Sequence, residues 1–183
     1  MEAIKNLKLE KIVKLTLISI VGSILITISA KTKIPFYPVP MTMQTFTILL
    51  IGITLGYKIG LATVALYLFE GIIGLPVFAN SPEKGIGIIY FTGPTMGYLI
   101  GFLFAVIISG YFNVKKNYLL IFCKLIFATA FIYILGLAWL GNLIGWDKPI
   151  FQLGAQPFLL AEIFKLSLLT VLYPQIKRLN KII

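Results

Sequence analysis

The chain is built from long uncharged apolar runs separated by short polar stretches. Residues 15–30 carry no charge, nor do residues 41–57, 85–114 or 125–146, and the run at 85–114 has room for a helix and its leading loop. Two further apolar runs hold charges inside them: residues 61–73, with Glu70 near one end, and residues 157–174, with Glu162 and Lys165. A bilayer core about 30 Å thick takes roughly 20 apolar residues of helix, fewer when terminal lysines snorkel to the headgroups. The pattern predicts an all-α polytopic membrane protein, one domain over residues 1–183 with six transmembrane helices. Residues 1–30 also resemble a secretory signal, Lys-rich at the start with Ser29 and Ala30 before Lys31. Five further spans make that segment the first helix of an inserted protein instead.

Between the runs, the stretches predicted outside carry the unusual residues. Pro35, Pro38 and Pro40 alternate through residues 31–40, and because each fixes its own φ and restricts its predecessor, this segment cannot be helix. Residues 71–94 read GIIGLPVFANSPEKGIGIIYFTGP, a glycine-rich apolar loop expected to fold over the bundle, since unpaired backbone facing lipid is costly. Residues 145–156 form the third outer stretch. The inner connections, at 57–60 and 113–117, are short.

Composition and charge sharpen this picture. At 59% hydrophobic and 12% charged residues, the chain is too apolar for a water-soluble domain. Its net charge of +10 does not indicate nucleic acid, because the basic residues are spread through loops rather than gathered on one polar face. Placing the N-terminus in the cytoplasm puts Lys5, Lys8, Lys11, Lys14, Lys58, Lys115, Lys116, Lys124, Lys177, Arg178 and Lys181 inside. Only Lys31, Lys33, Lys84 and Lys148 fall outside. This asymmetry predicts both termini in the cytoplasm and an even number of crossings.

The sharpest chemical signal is Glu162 with Lys165. Ionisable groups within a span are costly and usually functional, and residues three apart share a helix face. Both lie in the outer half of the last helix, roughly 7 and 12 Å below its outer end at about 1.5 Å per residue. Two readings are open, a site for a polar or anionic ligand entering from outside or an ion pair that only fixes packing. Asn80 offers an amide to a heterocycle or makes a turn before Ser81-Pro82, and Gln44 can bond a ligand or a neighbouring helix. Ser19 and Ser23, with Gly22 between them, form a small-residue face for close approach of a helix, either a partner's or the chain's own. Cys123 is expected to pack. The chain has no histidine, no Gly-Lys dipeptide for a Walker loop and no G-x-S-x-G turn, so metal, ATP and serine-nucleophile chemistry are all disfavoured. No cofactor is expected, and ATP-driven transport would need a partner. A membrane enzyme acting on a lipid is the competing class.

Four segments, PVPMTMQT at 38–45, GLPVFAN at 74–80, GPTMGYLIGF at 93–102 and PFLLAEIFK at 157–165, together resemble the BioY family of biotin transporters. The resemblance implies the biotin-binding S component of an energy-coupling factor (ECF) transporter in the bacterial inner (plasma) membrane. It further implies a transmembrane coupling subunit and two ABC ATPase subunits as partners. By the same resemblance Glu162, Lys165 and Asn80 are ligand residues. The family pattern has Gly-Asp where this chain has Ala161-Glu162, and a second glycine where it has Met96. Some relatives place an arginine for the biotin carboxylate, but the first arginine here is Arg178, which leaves Lys84, Tyr90 or Lys165 for that role. Phe78, Tyr98 and Trp139 are candidates to cover the ring. An S component for another small vitamin is the alternative within transport.

Overall fold

A computed structural model describes the backbone of residues 2–111 and 117–179, and the side chains of residues 9–111 and 117–177. Of the basic residues assigned to the inner side, Lys115, Lys116 and Lys181 lie outside the described residues, as do the side chains of Lys5, Lys8 and Arg178.

The first helix, α1 (Glu2–Lys31), ends where the proline-rich segment begins. That segment forms two short strands, β1 (Lys33–Ile34) and β2 (Met41–Thr42), paired antiparallel with Lys33 opposite Thr42. The next helix, α2 (Gln44–Ile72), is continuous by residue range but not in direction. At Gly56 the backbone takes φ 74° and ψ 171°, a conformation that essentially only glycine adopts. The chain folds back there: the Gln44 Nε2 donates to the Tyr67 hydroxyl at 2.9 Å, whereas a straight helix would separate the two residues by roughly 34 Å. The two arms of α2 coincide with the apolar runs noted at 41–57 and 61–73.

After a 3₁₀ turn at Gly87–Thr92 come α3 (Met96–Tyr111) and α4 (Tyr118–Ile144). A short α5 (Ile150–Gly154) and a 3₁₀ turn at Gln156–Phe158 lead into α6 (Leu159–Leu179). Among the described residues there are thus six apolar helical rods: α1, the two arms of α2, α3, α4 and α6. Two boundaries differ from expectation. The helix expected from residue 125 begins at Tyr118, capped by Asn117, whose side chain accepts from the Leu120 amide at 3.2 Å. Lys124 does not end it, because its ammonium donates to the Ser109 carbonyl at 2.7 Å and is satisfied within the fold. Likewise α6 runs through Pro174 instead of stopping there.

The arms of α2 pack on α3, α3 on α4 and α1 on α2, while α6 closes against α2 and α4. Ile48, Leu49, Ile53, Val64, Leu125 and Leu169 are fully buried between them. On the outside, Leu17, Val21, Ile24, Leu25 and Ile28 of α1 are exposed. Such a continuous apolar face would be a liability in water and is ordinary in lipid. Cys123 is exposed on α4 instead of packed. Ser19 and Ser23 are buried, and the Ser23 hydroxyl donates to the Glu70 carboxylate on α2. A Cβ on Gly22 would press on the Thr63 side chain. The close approach allowed by this small-residue face is therefore made to the chain's own α2.

Candidate functional site

The first turns of α6 bring Glu162 and Lys165 onto one face, three residues apart, each only 5% exposed. The Lys165 ammonium lies 2.8 Å from Glu162 Oε1. It also donates to the Thr42 carbonyl at 2.7 Å and to Thr45 Oγ1 at 3.1 Å. An ammonium has three donors, so Lys165 is fully committed to the protein. Thr45 in turn donates to Glu162 Oε1 at 2.9 Å. The other carboxylate oxygen, Oε2, is buried with no hydrogen-bond partner among the described residues. Leaving a buried acceptor unsatisfied costs about 1–3 kcal/mol, and more for a charged group.

Glu162 forms part of the wall of a narrow cavity of about 60 Å³ between the β1–β2 segment, α2, α3, α4 and the start of α6. Its polar lining includes Thr42, Gln44, Thr45, Tyr90 and Tyr133. Leu99, Phe102, Ile132 and Phe158 form an apolar side, with Tyr98 among them. The mixture suits a ligand with a polar end and an apolar ring.

The expected site residues divide by position. Gln44 lines the cavity, but its amide is engaged on both sides: Oε1 accepts from Thr42 Oγ1 at 3.2 Å and Nε2 donates to Tyr67. Tyr90 also lines it, buried and stacked on Phe78 at a centroid distance of 4.6 Å. Burial pushes the Tyr90 phenol above its ordinary pKa, so it stays protonated and able to donate. At the turn that carries Asn80 the wall is Ala79, while Asn80 Oδ1 accepts from Lys33 at 3.0 Å. Lys84 lies outside the lining, its ammonium 5.4 Å from the centre of the Tyr37 ring.

Of the three aromatics considered as ring covers, only Tyr98 lines the cavity, its hydroxyl donating to the Gly154 carbonyl at 2.8 Å. Phe78 backs Tyr90. Trp139 instead ties a loop, its indole N–H donating to the Gly93 carbonyl at 2.8 Å. Sequence reasoning did not single out Thr45 or Tyr133. A threonine near a helix start and a tyrosine in an apolar helix are both commonplace, and only the fold brings them to the carboxylate.

The BioY family model matches residues 3–181. The chain belongs to the BioY family. Among similar proteins, the probable biotin transporter BioY of Pyrococcus horikoshii is 36% identical over 141 residues, which cover 77% of this chain and 82% of that protein. The biotin transporter BioY of Thermotoga maritima is 34% identical over 157 residues, covering 85% and 91%. A crystal structure of the S-component for biotin from an ECF-type ABC transporter superposes with a TM-score of 0.76 at 27% identity, covering 94% of this chain and 93% of that one. The four segments singled out for this family's resemblance each reach the site. PVPMTMQT supplies the Thr42, Gln44 and Thr45 wall, GLPVFAN the Ala79 turn, GPTMGYLIGF Tyr98, Leu99 and Phe102, and PFLLAEIFK the Glu162–Lys165 pair.

Proposed function

We propose that this chain is the biotin-binding S component of an ECF-type uptake transporter, lying in the plasma membrane and taking the vitamin from the outer side. The observation that carries the site assignment is Glu162 Oε2, a buried carboxylate oxygen, at the wall of a cavity, that has no partner among the described residues. Biotin's ureido ring has N–H groups that can supply the missing hydrogen bond, and its thioether ring suits the Leu99, Phe102 and Ile132 side. Lys165 acts through Glu162, holding Oε1 together with Thr45 so that the carboxylate is fixed in place for the ligand. Asn80, on the turn beside Ala79, is the second polar contact. Tyr90, with a protonated hydroxyl already in the cavity wall, is the better placed of the three candidates for the biotin carboxylate, since Lys165 has no donor left and Lys84 lies elsewhere.

The chain has no Walker loop of its own, so uphill uptake falls to a transmembrane coupling subunit and two ABC ATPases. The excess of inner over outer lysines supports a cytoplasmic location for both termini. A thermal-shift panel of vitamins on the detergent-purified chain tests the reading, because a ligand that binds only the folded state raises the melting point by mass action. Biotin should raise it and other vitamins should not. A shift with a different vitamin alone would move the assignment to that substrate, and no shift with any would remove the binding role.

A further inference from the structure

Lys31 and Lys33, which counted only as outer-side charges in the sequence, both reach across to one short turn in the second outer loop. The Lys31 ammonium donates to the Phe78 carbonyl at 2.8 Å and the Ser81 carbonyl at 2.6 Å, with Ser81 Oγ at 3.3 Å. Lys33 donates to the Ala79 carbonyl at 2.7 Å and to Asn80 Oδ1 at 3.0 Å. A lysine in the last turn of a helix ordinarily serves the helix's own terminal carbonyls. Lys31 is spent instead on carbonyls nearly fifty residues away.

We propose that Lys31 and Lys33 are positioning residues that clamp the 78–81 turn and set the direction of the Asn80 amide. This inference rests on the reading of Asn80 as a ligand contact. With its oxygen held by an ammonium, Asn80 is left with its NH₂ as the free group, so it meets the ligand as a donor, toward a carbonyl or carboxylate. Glu162 can only accept. The site therefore pairs one donor end with one acceptor end, which matches a cyclic urea carrying both N–H and C=O. The clamp also joins the two ends: Lys33 in β1 lies opposite Thr42 in β2, and the Thr42 carbonyl accepts from Lys165. Both clamp lysines are exposed at the surface, so replacing them strands no buried charge.

The test combines two measurements on the purified full chain in nanodiscs. The first is hydrogen–deuterium exchange without ligand. The Ser81 and Lys84 amides, which bond to the Phe78 and Asn80 carbonyls, should exchange faster in the Lys31→Met, Lys33→Met double variant and at the parent rate in Asn80→Asp, which keeps an acceptor for Lys33. The second is biotin affinity. Lys33→Met should weaken it about tenfold, the loss of roughly one charge-assisted hydrogen bond, and Lys33→Arg should restore most of it. Asn80→Asp, clamped but without donors, should bind as poorly as Asn80→Ala, and Lys33→Met should add nothing in the Asn80→Ala background. Unchanged exchange in the double variant, or an effect of Lys33→Met that adds fully to that of Asn80→Ala, overturns the proposal. A parent chain that binds no biotin overturns the functional reading instead, and exchange still decides whether the clamp exists.

Discussion

At the scale of single residues, Glu162 and Lys165 were legible in the sequence because a charge in an apolar helix needs a reason to be there. Their division of labour was not. Whether Lys165 faces a ligand or the protein depends on Thr42 and Thr45, which lie far from it in the sequence and occupy its donors. The same holds for Asn80 and Gln44, whose amides bond to Lys33 and Tyr67 in ways that no local pattern reveals. Thr45 gives a direct check on this geometry. Thr45→Val keeps the shape but removes a side chain that bonds both Glu162 and Lys165. Biotin affinity should fall about 3- to 15-fold, the equivalent of one ordinary hydrogen bond, and the melting point of the free protein should also fall, since a buried Lys165 donor loses its acceptor. Calorimetric titration of the variant reads this, and unaltered affinity would show that Thr45 does not hold the carboxylate in place.

Among the elements, helix positions followed from the apolar runs, whereas helix ends did not follow from charges or prolines. Lys124 and Pro174 looked like boundaries, yet Lys124 finds the Ser109 carbonyl and α6 continues through Pro174. The turn inside α2 was legible as a short inner connection after residue 57, and the structure assigns its cause to Gly56. Any other residue there would be held in a strained conformation costing about 1–3 kcal/mol. Gly56→Ala should lower the thermal stability of the detergent-solubilised chain, and equal stability would mean that the two arms do not depend on this fold-back. Gly71 is constrained in a different way. Its missing side chain makes room for the ring of Phe78, which is packed against Tyr67, Tyr90 and Phe91 and cannot yield. Gly71→Ala should disturb the Tyr90 wall of the cavity and weaken biotin binding by calorimetric titration.

For the whole molecule, membrane class and the apolar helices were readable from hydropathy alone, and the positive-inside count predicts an orientation. A reporter fused to the C-terminus should read cytoplasmic, and an extracytoplasmic signal would contradict the six-span arrangement. Ser19 and Ser23 show where sequence reasoning could not reach, since a small-residue face says that something approaches closely but not what. In this fold it is α2. Ser23→Leu should therefore wedge α1 from α2 and destabilise the isolated chain by about 1–3 kcal/mol, read as a lower melting point. Intact stability with weakened co-purification of the coupling subunit would return the face to intermolecular use. The claim that joins these scales is that one buried carboxylate, fixed by its own lysine and threonine, recognises biotin. Titration calorimetry of the purified chain with biotin, run beside the Glu162→Leu, Lys165→Met double variant, tests it most directly. Removing both charges together leaves neither stranded, so the variant should fold and insert while biotin binding is lost, with the parent chain binding one biotin. Tight binding retained by the folded double variant would contradict the account.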